Sequence, residues 1–298
     1  MKKIAVIGSV NMDMAATAER IPRKGETVSA DALSYLPGGK GANQAVAAAR
    51  LGAETSFFGC VGDDAFGGRL VEELRRNGVN TDNVRALPGV PSGLAMIIVA
   101  EKDNAITVVP GANACVTREY LDEVWPELER AEIILLQNEI PADTVLYASQ
   151  RLYKEGKTVV YNPAPARPES RLLVDSVTYL TPNEHEARLL MPREERLEEL
   201  VMKNPRRLIV TLGSRGVLAS EDGSLLSVPG YRANVVDTTG AGDTFNGAFA
   251  YALSVRMGFE DALAFANAAA SLSVERSGAQ EGMPSLTAVK ERLRQKPA

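Results

Sequence analysis

The chain has 298 residues, of which 45% are hydrophobic and 24% are charged, and its formal net charge is −5. This composition is typical of a folded globular protein with a large core, and it excludes a disordered chain. The negative charge and the small size of the basic clusters argue against a nucleic-acid partner. Two cysteines and one histidine exclude a disulfide framework and a histidine-rich metal site. No apolar run approaches the roughly 18 residues that cross a membrane, so we expect a cytoplasmic protein with no membrane partner.

Strands and helices alternate from the N-terminus onwards. Residues 3–8 are predicted to form a buried strand, residues 42–51 a helix that ends at Gly52, and residues 55–61 another strand. The alternation returns in the second half, with a helix predicted at 142–154 and strands at 132–137, 158–161, 177–180 and 207–212. Repeated βαβ units predict an α/β fold with a doubly wound, mostly parallel sheet flanked by helices. In such sheets, ligands bind beyond the carboxyl ends of the strands.

Two segments interrupt this alternation. Residues 26–36 are predicted to be extended, and residues 92–98 are predicted to pair with 105–109 across a polar turn at 101–104. They predict a small antiparallel β lid, with lid segments at about 12–37 and 90–110 of a single domain that spans residues 1–298. From residue 241 onwards the chain is predicted to be almost entirely helical.

A glycine-rich turn with the sequence DTTGAGDTFNG occupies residues 237–247 and leads into a helix. Glycines let the backbone approach a ligand closely, and the free N–H groups of a helix start attract an anion. The N–H groups of Gly240, Ala241 and Gly242 could stabilise a phosphoryl group, and Asp243 could accept a proton from a substrate hydroxyl. A carboxylate here could instead only cap the helix. A Walker A loop is absent, because Lys40 is followed by glycine.

Other polar residues suit a ligand with several hydroxyl groups. Asn11, Asp13, Lys40 and Asn43 supply hydrogen-bond donors and acceptors for such a ligand, although the first two could equally form a turn after a strand. Residues 181–186, with the sequence TPNEHE, are predicted to place Asn183 and Glu186 on one face of a short helix. There they could serve one ligand, or only favour the helix dipole.

Three motifs together resemble the signatures of the ribokinase family of carbohydrate kinases. They are GSVNMD at residues 8–13, PGGKGANQA at 37–45 and DTTGAGD at 237–243, and the similarity runs from residue 3 to about 284. The resemblance implies transfer of the γ-phosphate of ATP to the 5-hydroxymethyl group of D-ribose or a close pentose. It makes Asp243 the catalytic base and the backbone of Gly240, Ala241 and Gly242 the site that stabilises the transferred group.

The resemblance also implies the ligands of the remaining site residues. It assigns the sugar to Asn11, Asp13, Gly39, Lys40, Asn43, Glu139 and Asp243. It assigns the nucleotide to Asn183, Thr211, Gly213, Ser214, Gly216, Gly242 and Asn267. Glu186 is expected to help order Mg²⁺. A monovalent cation, K⁺, is expected at Asp237, Thr239, Ser273, Arg276, Gly278 and Gly282, the last of which replaces a hydroxyl residue of some relatives.

Several alternatives remain open on the sequence alone. Lys40 and Gln44 favour the ribokinase branch, but a kinase of the same family could act on deoxyribose, a nucleoside or a keto-sugar acid. A non-catalytic sugar-binding sensor could also use the same fold. The intact Asp243 and its glycine turn argue against a sensor, which needs no base. We also expect that a homodimer can form through the lid.

Overall fold

A computed structural model describes residues 1–100, 103–191 and 196–295. Within these ranges the chain forms thirteen strands, which we number β1 to β13 in chain order: Ile4–Ile7, Asn11–Ala18, Ala30–Gly38, Thr55–Gly62, Asn80–Leu87, Gly93–Ala100, Asp103–Val109, Ile133–Leu136, Thr158–Tyr161, Tyr179–Leu180, Val210–Thr211, Val217–Glu221 and Ser224–Val228. In the same part of the chain, nine α-helices, α1 to α9, cover Lys40–Arg50, Ala65–Arg76, Arg118–Leu128, Ala142–Lys154, Glu184–Leu190, Leu197–Lys203, Ala241–Ser254, Phe259–Ser273 and Leu286–Arg292. Short 3-10 helices occupy Gly111–Cys115, Pro168–Ser176 and Gly213–Arg215. None of the described helices combines the length and the hydropathy that crossing a bilayer requires.

The central sheet has six strands in the order β10-β9-β8-β1-β4-β5. Every pairing between these strands is parallel. Alternate residues of β1 face two separate cores: Ile4 and Val6 pack into one, and Ala5 and Ile7 pack into the other. A strand that is covered by helices on both faces has to be apolar along its whole length. The predicted doubly wound α/β fold is therefore confirmed.

The lid is a second sheet, with the strand order β3-β2-β6-β7. Its two hairpins, β2 with β3 and β6 with β7, are antiparallel. The sequence predicts the second pairing, and for the first it predicts only an extended segment at 26–36. The two hairpins join through a parallel pairing of β2 with β6, which is a long-range contact that local patterns do not indicate. Of the predicted polar turn at 101–104, residues 101 and 102 lie outside the described residues.

The helix α7 begins at Ala241, so Asp243 lies in its first turn, in agreement with the helical structure expected from residue 241 onwards. Two elements differ from the sequence-based expectation. The strand predicted at 207–212 is reduced to β11, Val210–Thr211, which pairs with β12 in a separate three-stranded sheet. The hairpin of β12 and β13 in that sheet was not predicted from the sequence. Isolated parallel bridges, Leu180 with Leu208 and Asn183 with Thr211, continue the order of the central sheet towards β11.

The parallel central strands determine where polar side chains gather. Their carboxyl ends lie at one edge of the sheet, and the segments that follow β1, β8, β9 and β10 carry Ser9, Glu139, Asn162 and Asn183 respectively. Helix α1 starts at this same edge, because the backbone N–H of Ala42 donates to the carbonyl of Ser9 at 2.9 Å. Helix α7 packs against α1. The edge therefore brings the first turns of both helices beside the strand ends.

Candidate active site

Asp243 lies in the first turn of α7 and is only 6% exposed. Its Oδ2 accepts a hydrogen bond from Asn43 Nδ2 at 3.0 Å, and its Oδ1 accepts one from Gln44 Nε2 at 3.1 Å. Asp243 does not cap the helix, since the N-cap residue is Gly240, with a φ of +77° and no side-chain cap. Burial raises the pKa of Asp243, while the Lys40 ammonium and the two amides oppose that rise. The structure thus holds a carboxylate in a buried position at the start of a helix.

Lys40 brings a positive charge to this carboxylate. Asp243 is the main cause of the raised pKa of Lys40, against the opposing effect of burial. The same ammonium faces three more carboxylates, those of Glu139, Glu186 and Asp13. The backbone N–H of Lys40 and the hydroxyl of Ser9 both donate to Glu139 Oε2, at 3.0 and 2.6 Å. Glu139 is thereby anchored to the start of α1.

Asp13, on β2, is a second carboxyl group of this cluster whose pKa is raised. Burial raises the pKa of Asp13 to about 7, the nearby charges of Glu139 and Asp243 add to that rise, and Lys40 partly opposes it. A glycine on the neighbouring strand leaves room for the carboxylate, since a Cβ at Gly38 would lie 2.2 Å from Asp13 Oδ2. The group is therefore poised to change its charge near neutral pH.

Asn11 and Gly39 complete the cluster at the base of the lid. Asn11 Oδ1 accepts a hydrogen bond from Asn113 Nδ2 at 2.7 Å, which leaves the amide N–H groups of Asn11 for other partners. Gly39 has a φ of +87°, and a Cβ there would lie 2.8 Å from the backbone nitrogen of Asn11. The structure thus brings together all the residues that the sequence assigns to the sugar: Asn11, Asp13, Gly39, Lys40, Asn43, Glu139 and Asp243.

The prediction that Asn183 and Glu186 share one face of a helix is wrong. Asn183 precedes α5 as its N-cap, and the pair forms a reciprocal capping box. Asn183 Oδ1 accepts from the Glu186 N–H, and Glu186 Oε2 accepts from the Asn183 N–H, both at 2.8 Å. Within the TPNEHE segment, an Asn followed three residues later by a Glu matches the signature of a capping box. The same spacing was interpreted as two residues on one face of a helix. Both residues nevertheless line the same small cavity of about 220 Å³, together with Lys40 and Asp243.

The backbone of the glycine turn lines this small cavity as well, through Gly240, Ala241 and Gly242. Nothing lies within 4 Å of the position that a Cβ would take at Gly242, so an anion can approach this backbone. The N–H of Ala241 is in weak contact with the carbonyl of Thr238, at 3.3 Å. A cavity at a helix N-terminus, with a lysine opposite, suits a phosphate group.

A larger cavity of about 930 Å³ adjoins the small one, and Thr211, Thr238, Ala241 and Gly242 line both. The residues that the sequence assigns to the nucleotide line the larger cavity, except Asn183: Thr211, Gly213, Ser214, Gly216, Gly242 and Asn267. Asn267 Nδ2 donates to the carbonyl of Pro229 at 2.7 Å, which ties α8 to the cavity wall. Sequence reasoning missed the wall formed by residues 230–235, because this irregular loop carries no periodic signal.

The charged groups at the small cavity fit a divalent ion that is coordinated mainly by the phosphates of a bound molecule and by water. Burial raises the pKa of Glu186, with opposing effects from the Asn183 N–H and from Lys40. In the described part of the chain, no three histidine, cysteine or acidic residues form a metal cluster. Mg²⁺ commonly binds through one or two carboxylates together with phosphates and waters. Glu186 can supply such a carboxylate.

The residues assigned to a monovalent cation lie where the start of the glycine turn meets the end of α8 and the loop that follows it. Asp237 Oδ1 accepts from the Thr239 N–H and its Oδ2 accepts from the Gly278 N–H, both at 2.9 Å. These hydrogen bonds outweigh burial and lower the pKa of Asp237. The Gly282 N–H donates to Gly278 at 3.2 Å, and a Cβ at Gly282 would lie 2.3 Å from the Ser273 carbonyl oxygen. Arg276 and Gly282 line a neighbouring cavity of about 380 Å³.

Sequence reasoning missed several amide side chains around Asp243. Gln44 contacts the carboxylate directly, and Gln137 and Gln280 donate to Gln44 and Asn43. Gln137 follows a strand at the ligand-binding edge, which is a signal that could have been used. Gln280 lies in a loop with no pattern and could not have been found in this way.

Comparisons with known proteins extend these observations. The family model described as "pfkB family carbohydrate kinase" matches residues 1–286. A ribokinase of Lactococcus lactis is 45% identical over 99% of this chain and 98% of its own length. The crystal structure of a ribokinase from Thermotoga maritima has a TM-score of 0.92 at 36% identity, and covers 99% of this chain and 100% of its own. A ribokinase of Arabidopsis thaliana, complexed with ribose and ATP, has a TM-score of 0.87 at 36% identity over 99% of both chains.

Asp13 predicts a pH-dependent contribution to stability. The folded carboxyl group keeps its proton up to about pH 7, whereas the unfolded chain releases it near the ordinary pKa of 3.8. Between these values the folded state binds more protons, so the free energy of unfolding falls as pH rises. The substitution Asp13→Asn removes this loss. The free energy of unfolding of Asp13→Asn minus that of the wild type should therefore be roughly 2 kcal/mol larger at pH 8 than at pH 5. Urea denaturation at both pH values measures this difference.

The exposed Asp31, on β3 of the same sheet, provides the matched control Asp31→Asn. If Asp13→Asn and the wild type differ in free energy of unfolding by the same amount at pH 5 and pH 8, then the raised pKa of Asp13 is refuted.

Proposed function

The chain belongs to the pfkB family of carbohydrate kinases, and we propose that it transfers the γ-phosphate of ATP to the 5-hydroxymethyl group of D-ribose or a close pentose. One observation carries this proposal: the buried Asp243 lies between a polar cluster suited to a sugar and a helix start suited to phosphates. The ribokinase identity of the similar proteins supports ribose as the acceptor. The Arabidopsis protein, complexed with ribose and ATP, supports the same pair of ligands.

In this proposal, the sugar lies between the lid and the start of α1. Side chains of Asn11, Asp13, Lys40, Asn43 and Glu139 contact its hydroxyl groups, and Gly39 lets the backbone approach. An ionised carboxylate offers about four acceptor positions, and the protein uses two of those on Asp243. The others remain for the 5-hydroxyl, whose proton Asp243 accepts as the oxygen attacks the phosphorus.

We place the nucleotide in the larger cavity and its phosphates in the small one. The N–H groups of Gly240, Ala241 and Gly242 then face the transferred group and stabilise its developing charge. Lys40 adds a positive charge on the opposite side. Mg²⁺, when bound, neutralises the phosphate oxygens, and Glu186 with Asn183 would help to hold it. Removal of Mg²⁺ with EDTA should therefore abolish turnover.

The substitution Asp243→Asn tests the catalytic base. The amide keeps the size of the side chain but cannot accept the proton, so kcat should fall by about a hundredfold or more. Because the polar cluster remains, affinity for the sugar and for ATP should persist. Steady-state assays of ADP formation measure kcat, and calorimetry measures binding.

Near-normal kcat in this variant would refute the assignment of the base. Loss of both activity and ligand binding would instead point to damage to the site, so the melting temperature is measured alongside. A panel of pentoses, hexoses and nucleosides in the wild-type assay tests the acceptor class directly.

The acceptor itself is tested with two sugars that differ by one hydroxyl group. If Asn43 reads the 2-hydroxyl, then 2-deoxyribose leaves a buried polar group unpaired at a cost of about 1 to 3 kcal/mol. Ribose should then show the higher kcat/KM, and Asn43→Ala should narrow the gap. The ratio of the two sugars within one variant cancels any general loss of activity. Equal kcat/KM values for the two sugars in the wild type would show that the protein does not recognise the 2-hydroxyl group. If Asn43→Ala keeps the full preference for ribose, then another residue recognises this group.

We further propose that K⁺ binds beside the glycine turn. The loop that Asp237 ties to Gly278 offers backbone carbonyls near Ser273 and Thr239, and a hard oxygen cage suits an alkali cation. A bound cation would hold the turn in place, so activity should rise with K⁺. Rates are compared in K⁺ and in a bulky organic cation at the same ionic strength. Identical rates would remove this part of the proposal.

We propose that two copies pair through the lid. One face of the lid sheet leaves large apolar groups exposed, among them Val99 at 39%, Ile106 at 54% and Val108 at 47%. Such clusters are typical of protein contact surfaces. Light scattering should give the mass of a dimer, and Ile106→Lys should reduce it to that of a monomer. Leu172→Lys, at a site 62% exposed outside the lid, is the control. A monomeric wild type would contradict this part of the proposal.

We place the protein in the cytoplasm. ATP is the proposed phosphate donor, and both cysteines, Cys60 and Cys115, are free thiols that suit a reducing compartment. Fractionation of the source cells tests this location, and recovery outside the cytoplasmic fraction would contradict it.

A further inference from the structure

Five side chains form a hydrogen-bonded series that reaches Asp243 from two sides. On one side, Gln280 Nε2 donates to Asn43 Oδ1 at 3.1 Å, and Asn43 Nδ2 donates to Asp243 Oδ2 at 3.0 Å. On the other, Gln137 Nε2 donates to Gln44 Oε1 at 2.7 Å, and Gln44 Nε2 donates to Asp243 Oδ1 at 3.1 Å. All five side chains are buried. We call Gln280 and Gln137 the outer amides, and Asn43 and Gln44 the inner amides.

The direction of every hydrogen bond in the series follows from the carboxylate at its centre. An ionised carboxylate accepts and cannot donate, so each inner amide must turn an N–H group towards Asp243. Its carbonyl oxygen then faces away and needs a donor of its own. The outer amides supply that donor on both sides. If an inner amide turned over, its oxygen would face the carboxylate, and its N–H group would face the N–H group of the outer amide.

The fold holds each outer amide through contacts outside the hydrogen-bonded series. Gln137 directly follows β8, which pairs with β1 and β9 in the central sheet. Gln280 lies in the loop between α8 and α9, and the guanidinium of Arg50 donates to its carbonyl oxygen and, at 3.1 Å, to that of Met283. The Oε1 atoms of both outer amides have no hydrogen-bond partner among the described residues. Each outer side chain is therefore oriented by its donated hydrogen bond.

We propose that Gln137 and Gln280 are positioning residues of the phosphotransfer reaction, which keep the inner amides turned so that their N–H groups hold and orient the Asp243 carboxylate. Neither residue needs to touch a ligand for this role. The inference rests on the proposed function, because Asp243 is the proposed base. Without the outer amides, the carbonyl oxygens of Asn43 and Gln44 lose their buried donors. The inner amides are then held less firmly, and the carboxylate loses part of its fixed direction towards the hydroxyl group.

The charges around Asp243 predict a second consequence. Lys40 faces the carboxylate with a positive charge, whereas Glu139, Asp13 and Glu186 face it with carboxyl groups. Burial raises the pKa of Asp243, and Lys40 and the two inner amides oppose the rise. An inner amide without a fixed orientation lowers the pKa of Asp243 less, so this pKa rises. The acid limb of the kcat profile should then move to higher pH.

The test uses Gln280→Met and Gln137→Met, which keep the approximate side-chain volume but remove the donor. Each should lower kcat by about tenfold or more, because misplacement of a catalytic group is costly. KM for ATP should not change, and the acid limb should shift as described. Thr144→Val on α4 is the control, since it removes a buried polar atom elsewhere in the fold. Melting temperatures are measured for all variants.

Double variants separate positioning from general stability. Gln280→Met should have no further effect on kcat in an Asn43→Ala background, and Gln137→Met none in a Gln44→Ala background, because each outer amide acts through its inner one. Wild-type kcat in both outer variants, or fully additive effects in both double variants, would overturn the inference. The two arms are independent, so a variant that fails to fold on one side leaves the other side as the test.

The proposed function and this inference fail in different ways. Activity retained in Asp243→Asn refutes the base itself. Inactive Asp243→Asn combined with normal kcat and an unshifted pH profile in both outer variants refutes only the positioning role.

Discussion

The carboxylate of Asp243 is buried, and the groups around it offset the free-energy cost of burying a charge. An ionised group in an apolar interior is strongly unfavourable unless it is paired and hydrogen-bonded. Here the Lys40 ammonium and the amides of Asn43 and Gln44 provide these interactions. All three come from the first turns of α1, so the position of that helix determines whether the carboxylate can be ionised at all.

Close packing of backbones keeps α1 in that position. A Cβ at Gly41 would lie 2.7 Å from the Cα of Gly8, so α1 touches the end of β1 without an intervening side chain. On α7, a Cβ at Gly247 would lie 2.6 Å from both the Cβ of Ala47 and the carbonyl oxygen of Gln44. The two helices can therefore approach closely enough for Asn43 and Gln44 to reach Asp243. Gly41 and Gly247 therefore have a packing role between these elements.

Much of this arrangement could be predicted from the sequence, because it depends on local patterns. Apolar strands such as 158–161 and helices such as 142–154 have clear periodicity and boundaries, and they are confirmed as β9 and α4. The carboxyl ends of parallel strands share one edge, so the motifs after β1 and before α7 were expected to meet. The family resemblance supplied the role of Glu139, which composition and spacing do not indicate.

What could not be predicted depends on tertiary contacts. The outer amide Gln280 is 237 residues from Asn43 in sequence, and no local pattern links them. The capping role of Asn183 was missed because a residue at a helix start and one inside the first turn have the same spacing to Glu186. The parallel pairing of the two lid hairpins, and the loop that walls the larger cavity, likewise depend on parts of the chain that are distant or irregular.

If Asp243 accepts the proton of the hydroxyl group that attacks ATP, the bound sugar must present that group to its carboxylate. A crystal structure with ribose and a non-hydrolysable ATP analogue would show this geometry. The 5-hydroxyl oxygen should lie about 3 Å from a carboxylate oxygen of Asp243, in line with the γ-phosphorus, which should face the N–H groups of residues 240–242. A sugar bound with its 5-hydroxyl group turned away from Asp243, or a terminal phosphate outside the small cavity, would refute the role of Asp243 as the base.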